Sequence, residues 1–139
     1  MTTLIRPEVS KSNKYWISKH RHYELKHFCL QYPEWKKAYV DQTGLLVSSL
    51  SFERSGTSNI PSDLTSKYAM KRAYYGDRIN LIEKVAMDAD KELYTYILKA
   101  VTEGLSYSYL KSKMNIPCGK DLYYDRYRRF FWLLNGVRN

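Results

Sequence analysis

Seven residues in the last third of the chain carry the clearest chemistry in this sequence: Lys111, Lys113, Lys120, Tyr124, Arg126, Arg128 and Arg129. Ammonium and guanidinium groups neutralise phosphates and release their counterions, and the planar fork of Arg matches the guanine edge. Tyrosine adds an apolar ring with one hydroxyl that reaches water or phosphate. The combination reads as a DNA-binding surface. Asp121 and Asp125 stand among these residues. They repel phosphate unless they neutralise a neighbouring Arg or accept a hydrogen bond from cytosine.

A second constellation is His20, Glu24 and His27, at i, i+4 and i+7 of one expected helix. That spacing puts all three on one side, where a metal site or general base could be imagined. The segment is basic and offers no further ligand, so surface histidines are the favoured reading. Cys29 and Cys118 stand far apart with no CxxC or Cys/His cluster, which argues against structural zinc. No phosphate loop, nucleophile elbow or paired-carboxylate motif occurs. The expectation is a non-enzyme with no cofactor and no metal.

The elements that must position the basic residues follow from periodicity and caps. Ser106 caps a short helix from Tyr107 to about Met114, with Leu110 and Met114 on its buried side. Asn115 stands where a turn needs positive φ, Ile116 pins the turn, and Pro117 cannot continue the first helix. Gly119 suits a tight entry to the final helix, about Lys120 to Leu134. Its apolar side is Tyr123, Tyr127, Phe130, Phe131 and Leu134; its far side is Asp121, Asp125, Arg128, Arg129 and Trp132. Two helices joined by a tight turn over about 106–134 form a helix-turn-helix.

Upstream, a helix is expected from near Ser12 or Asn13 until Pro33, which opens a second helix that Gly44 stops. Residues 43–61 are rich in Ser, Thr and Gly and read as a linker, with a short strand at Leu45–Leu50 as the other option. Ser62 or Asp63 caps a long helix with an apolar stripe from Leu64 to Ala86, in which Gly76 marks a close helix contact. Asp90 caps helix Lys91–Glu103, and Gly104 is its left-handed stop. The expected architecture is therefore all-α: an N-terminal basic aromatic helical segment (1–42), a linker (43–61) and a helical domain (62–139) with the helix-turn-helix.

With 139 residues the chain suits one compact domain. Its net charge is +9, from 23 basic and 14 acidic residues. Residues 1–42 carry eight basic and four acidic, 43–90 six and six, and 91–139 nine and four, so both ends are basic around a neutral middle. This balance favours a polyanionic partner. Fourteen tyrosines are enough to supply both a core and a nucleic-acid surface. No apolar run approaches the ~20 residues of a membrane span, and no signal peptide is visible, which suggests a cytoplasmic protein with free thiols.

The run EGLSYSYLKSKMNIPCGKDLYYDRYRRFFWLL resembles the C-terminal half of late-transcription activators of Gram-positive phages related to RinA and ArpU. These are similar in turn to the promoter-reading domain of sigma factors. Glu103, Gly104, Leu105, Ser106 and Tyr107 match the opening of that motif, Leu110 its buried position, and Asn115-Ile116 its turn. Pro117, Cys118, Gly119 and Lys120 depart from the usual Ser and Thr-Val. The resemblance implies an activator of phage late genes that binds double-stranded DNA in a bacterial host cytoplasm, with host RNA polymerase as a candidate contact. A homodimer is also compatible, through the long helix 63–88 or the Trp16/Trp35 region. The rival reading is a phage protein-interaction module, either a small terminase subunit or an inhibitor of a host nucleic-acid enzyme.

Overall fold

A computed structural model describes residues 11–55 and 62–138. Six helices follow in order: α1 Lys19–Leu30, α2 Tyr32–Ser55, α3 Ser62–Ala89, α4 Tyr94–Glu103, α5 Tyr107–Met114 and α6 Lys120–Val137. Among the described residues there is no strand, so the fold is all-α. None of these helices is long and apolar enough to cross a membrane.

The chain divides into two compact units, residues 1–31 with 82–139, and residues 32–81. In the first, α1 packs against α4 and α6, and α4 packs against α5 and α6. Its core is built from one stripe of each helix: Leu25, Phe28 and Cys29 of α1; Ile82, Val85 and Ala86 of α3; Ile97 and Val101 of α4; and Phe130, Phe131 and Leu134 of α6. Leu110 and Ile116 complete it from α5 and the turn. Burying such aliphatic and aromatic side chains stabilises the unit by roughly 1.5–3 kcal/mol each.

The second unit is a helical hairpin of α2 and the first part of α3. Here the structure departs from expectation. Residues 43–55 are helical rather than a linker or strand, and Gly44 does not stop the helix. The poor helix formers are held from both sides. Thr43 and Ser49 donate back to the carbonyls of Tyr39 and Leu46. From α3, Arg72 Nε donates to Thr43 Oγ1 at 2.8 Å, and Thr65 Oγ1 bonds Ser49 Oγ at 3.0 Å. Gly76 is the expected close contact: a Cβ there would lie 3.0 Å from the Tyr39 ring. The remainder of the expected linker, 56–61, lies outside the described residues.

The N-terminal helix also starts later than expected, at Lys19. The Asn13 side chain accepts from the Tyr15 amide and its carbonyl accepts from the Trp16 amide. This local turn competes with helix, and the strand-like alternation after it buries Tyr15 and Ile17 while Trp16 stays exposed. Pro33 occupies the first turn of α2, as its missing N–H allows. At the other end α6 runs past Leu134 to Val137.

Candidate nucleic-acid interface

The α5–turn–α6 unit is set by local chemistry at four places. Gly104 ends α4 with φ 71°, and the Gly104 and Leu105 amides both donate to the Ala100 carbonyl. Ser106 Oγ accepts from the Tyr109 amide at 3.2 Å and starts α5. Asn115 ends it with φ 52°, the single positive-φ residue other than glycine among those described. The Ile116 amide then donates to the Leu110 carbonyl at 3.1 Å, and both side chains are buried. Tyr107 Oη donates to the Cys118 carbonyl at 2.7 Å, tying the turn to the start of α5. α6 begins from Gly119 in an extended conformation.

A row of rings then runs from this turn along α6. Tyr107 lies against Tyr123 and Tyr124, Tyr124 against Tyr127, and Tyr127 against Phe131, with centroids 5.0–6.5 Å apart. Phe131 and His22 of α1 form a T-shaped pair with centroids 4.7 Å apart. Burial pushes the Tyr123 hydroxyl well above its ordinary pKa, so it remains a phenol.

The seven expected contact residues fall into two sets. Lys111, Lys113 and Lys120 are exposed, while Tyr124 and Arg128 are half-buried. Arg128 forms no ion pair among the described residues. Arg126 and Arg129 are engaged inside the protein. Arg126 Nε donates to Asp90 Oδ2 at 2.9 Å and its Nη1 to Asp125 Oδ2 at 2.6 Å. Arg129 reaches Tyr15 Oη at 3.3 Å and the Asp88 carbonyl at 3.5 Å. The Tyr15 ring in turn meets Trp132 at 5.7 Å.

Asp90 works twice. Its Oδ1 accepts from the Glu92 and Leu93 amides at 2.8 and 2.9 Å, capping the turn before α4, while Oδ2 takes Arg126. Partial burial acts to raise its pKa; the hydrogen bonds from Leu93, Arg126 and Glu92 together outweigh that and hold the carboxyl below its usual value. Bonding to Asp90 likewise holds the Arg126 proton more firmly. Arg129 acts in the same way on Tyr15, whose hydroxyl is lowered chiefly by that hydrogen bond. Beside this cluster is an open cleft of about 530 Å³ lined by Asp90, Lys91, Glu92, Leu122, Arg126 and Arg129. Its two signs of charge make it a poor anion trap.

The structural roles of Asp88, Tyr15 and Tyr107 were not visible in the sequence, because each partner is distant in sequence or is a backbone carbonyl. The acid beside the arginines of α6 had one signal, the Asp121/Asp125 pair, and Asp125 does pair with a neighbouring arginine, Arg126.

His20, Glu24 and His27 are all exposed on α1. Glu24 pairs with Arg21 on its own helix and lies 3.8 Å from Arg138. Among the described residues no group of three His, Cys, Asp or Glu is close enough to hold a metal ion. Both cysteines are free thiols. No protein-family model, no curated protein and no solved structure matches this chain.

Proposed function

We propose that this protein is a sequence-specific DNA-binding transcriptional regulator that lays α6 in the major groove. The observation that carries the reading is the α5–turn–α6 unit itself. A capped eight-residue helix, a left-handed asparagine and a pinned isoleucine lead into an 18-residue helix. Lys111, Lys113 and Lys120 project from it into solvent. In this reading the lysines neutralise phosphates, and Arg128 with Tyr124 faces the base edges. Arg126 and Arg129 fix the pose of α6 through Asp90 and Tyr15. On the resemblance to phage late-transcription activators, the regulator switches on phage late genes, with host RNA polymerase as a further contact.

The test is fluorescence anisotropy on the DNA flanking the protein's own gene, with excess random competitor and at two salt concentrations. Selective binding that survives competitor, and that Arg128→Ala weakens without loss of helix, supports the reading. Removing one phosphate contact by Lys111→Ala should lower the salt slope by about 1. Binding that competitor abolishes would reduce the +9 charge to a general preference for polyanions and return attention to a protein partner.

A further inference from the structure

Two segments of the first compact unit meet where the Tyr15 ring lies 5.7 Å from Trp132. Both are basic without any acid. Residues 11–23 hold Lys11, Lys14, Lys19 and Arg21, and residues 126–138 hold Arg126, Arg128, Arg129 and Arg138. Two of these cations pack on the joint: Lys14 Nζ lies 5.0 Å from the centre of the Tyr15 ring, and Arg129 reaches the Tyr15 hydroxyl. The carboxylates on neighbouring elements are taken. Asp88 gives Arg129 a backbone carbonyl while its side chain pairs with Lys84, and Asp125 pairs with Arg126. Lys14 and Arg128 form no ion pair among the described residues.

One large ring at this joint stays open. Tyr15 is 8% exposed, whereas Trp132 is 43% exposed. The two rings are tilted by 57°, so Tyr15 braces the indole instead of stacking flat on it. Trp132 follows Arg128 by four residues and Arg129 by three, so all three project from one side of α6. At 1.5 Å per residue, it stands roughly 18 Å along the helix axis from Lys120, beyond the end that enters the groove first.

We infer that Trp132 is a stacking platform for an unpaired nucleobase, with Lys14 and Arg128 on the flanking phosphates. Inside a duplex the base faces cover one another and only the edges are open in the grooves. An exposed indole among unopposed cations matches a base whose face is free. Single strands are held in this way, with rings for the bases and basic groups for the backbone. An acidic peptide would meet the same cations, yet it brings no π face to the indole. The inference goes beyond duplex recognition: it gives the C-terminal half of α6 a ligand of its own, a melted or single-stranded segment of nucleic acid.

Intrinsic tryptophan emission of the full chain tests this with two probes of equal charge, an oligothymidylate and an abasic strand of the same length. The oligothymidylate should quench the emission and bind at least about fivefold more tightly than the abasic strand, the lower end of what one stacked base contributes. Trp132→Ala should bind both probes alike. Trp132→Phe keeps a ring against Tyr15 and so guards against misfolding: it should still bind the oligothymidylate but lose the quenching. Trp16→Phe, which removes the other exposed indole, should be quenched like wild type. Equal binding of both probes by wild type reduces the patch to phosphate contacts and overturns the proposal. Quenching that survives in Trp132→Phe overturns it too, by placing the base elsewhere. So does a polyglutamate chain that quenches and competes as well as the oligothymidylate, which assigns the patch to an acidic protein. A chain that reads its duplex site but ignores the oligothymidylate loses only this inference. One that stacks bases without duplex selectivity loses only the regulator reading.

Discussion

The carboxylate of Asp90 joins two elements at once: one oxygen caps the turn leading into α4, and the other holds Arg126 of α6 at 2.9 Å. The orientation of α6 is therefore coupled to the α3–α4 junction through one side chain that is only 15% exposed.

Replacing it should be felt in both places. Asp90→Ala removes the oxygen that accepts from the Glu92 and Leu93 amides and leaves Arg126 with Asp125 alone, at a cost of about 1–2 kcal/mol. Urea unfolding should show a lower midpoint with an unchanged slope. The contribution is also pH-dependent. Asp90 binds its proton more weakly folded than unfolded, so between the two pKa values the unfolded chain carries more protons. Its stabilisation is complete above the ordinary carboxylate value of about 3.9 and is lost as pH falls through the lower folded value. In Asp90→Asn this component of the acid transition should disappear; an identical acid limb in both proteins would rule it out.

The arginines of α6 should separate by readout. Arg128→Ala should weaken DNA binding and leave the melting temperature within experimental error, because that side chain forms no ion pair among the described residues. Arg126→Ala and Arg129→Ala should lower the melting temperature first, since they release Asp90 and Tyr15. Scanning calorimetry alongside anisotropy distinguishes the two behaviours.

The turn should tolerate little. Leu110 is fully buried, so Leu110→Ala should cost roughly 2–5 kcal/mol. Asn115→Gly should be close to neutral because glycine accepts φ 52° freely. Asn115→Val should cost about 1–2 kcal/mol, the penalty for a side chain forced into the left-handed region. Equal stability of the glycine and valine variants would mean that the left-handed turn does not form.

The cysteines should differ in access. Burial pushes both thiols up, Cys29 far more than Cys118. Cys29 is fully buried and Cys118 half-buried. With a colourimetric disulfide reagent in native buffer, one thiol should react slowly, and the second only after denaturant is added. Cys118→Ser should abolish the native phase.

The sequence by itself determined the all-helical class and the limits of α5, because caps and stops act over three or four residues. Ser106 bonds an amide three positions on, and the left-handed Gly104 and Asn115 close their own helices. The same locality misled at residues 43–55. Their Ser, Thr and Gly content disfavours a helix locally, whereas Arg72 and Thr65, across the hairpin, bond to Thr43 and Ser49 and hold the helical form. It misled again at the start of α1, where the Asn13 turn displaces the expected cap. The tertiary structure alone decided which arginines remain available. Arg126 and Arg129 look like Arg128 in a helical pattern. Apart from Asp125 beside Arg126, their partners stand 36 to 114 residues away, and no periodicity of a single helix encodes contacts formed only when distant segments pack.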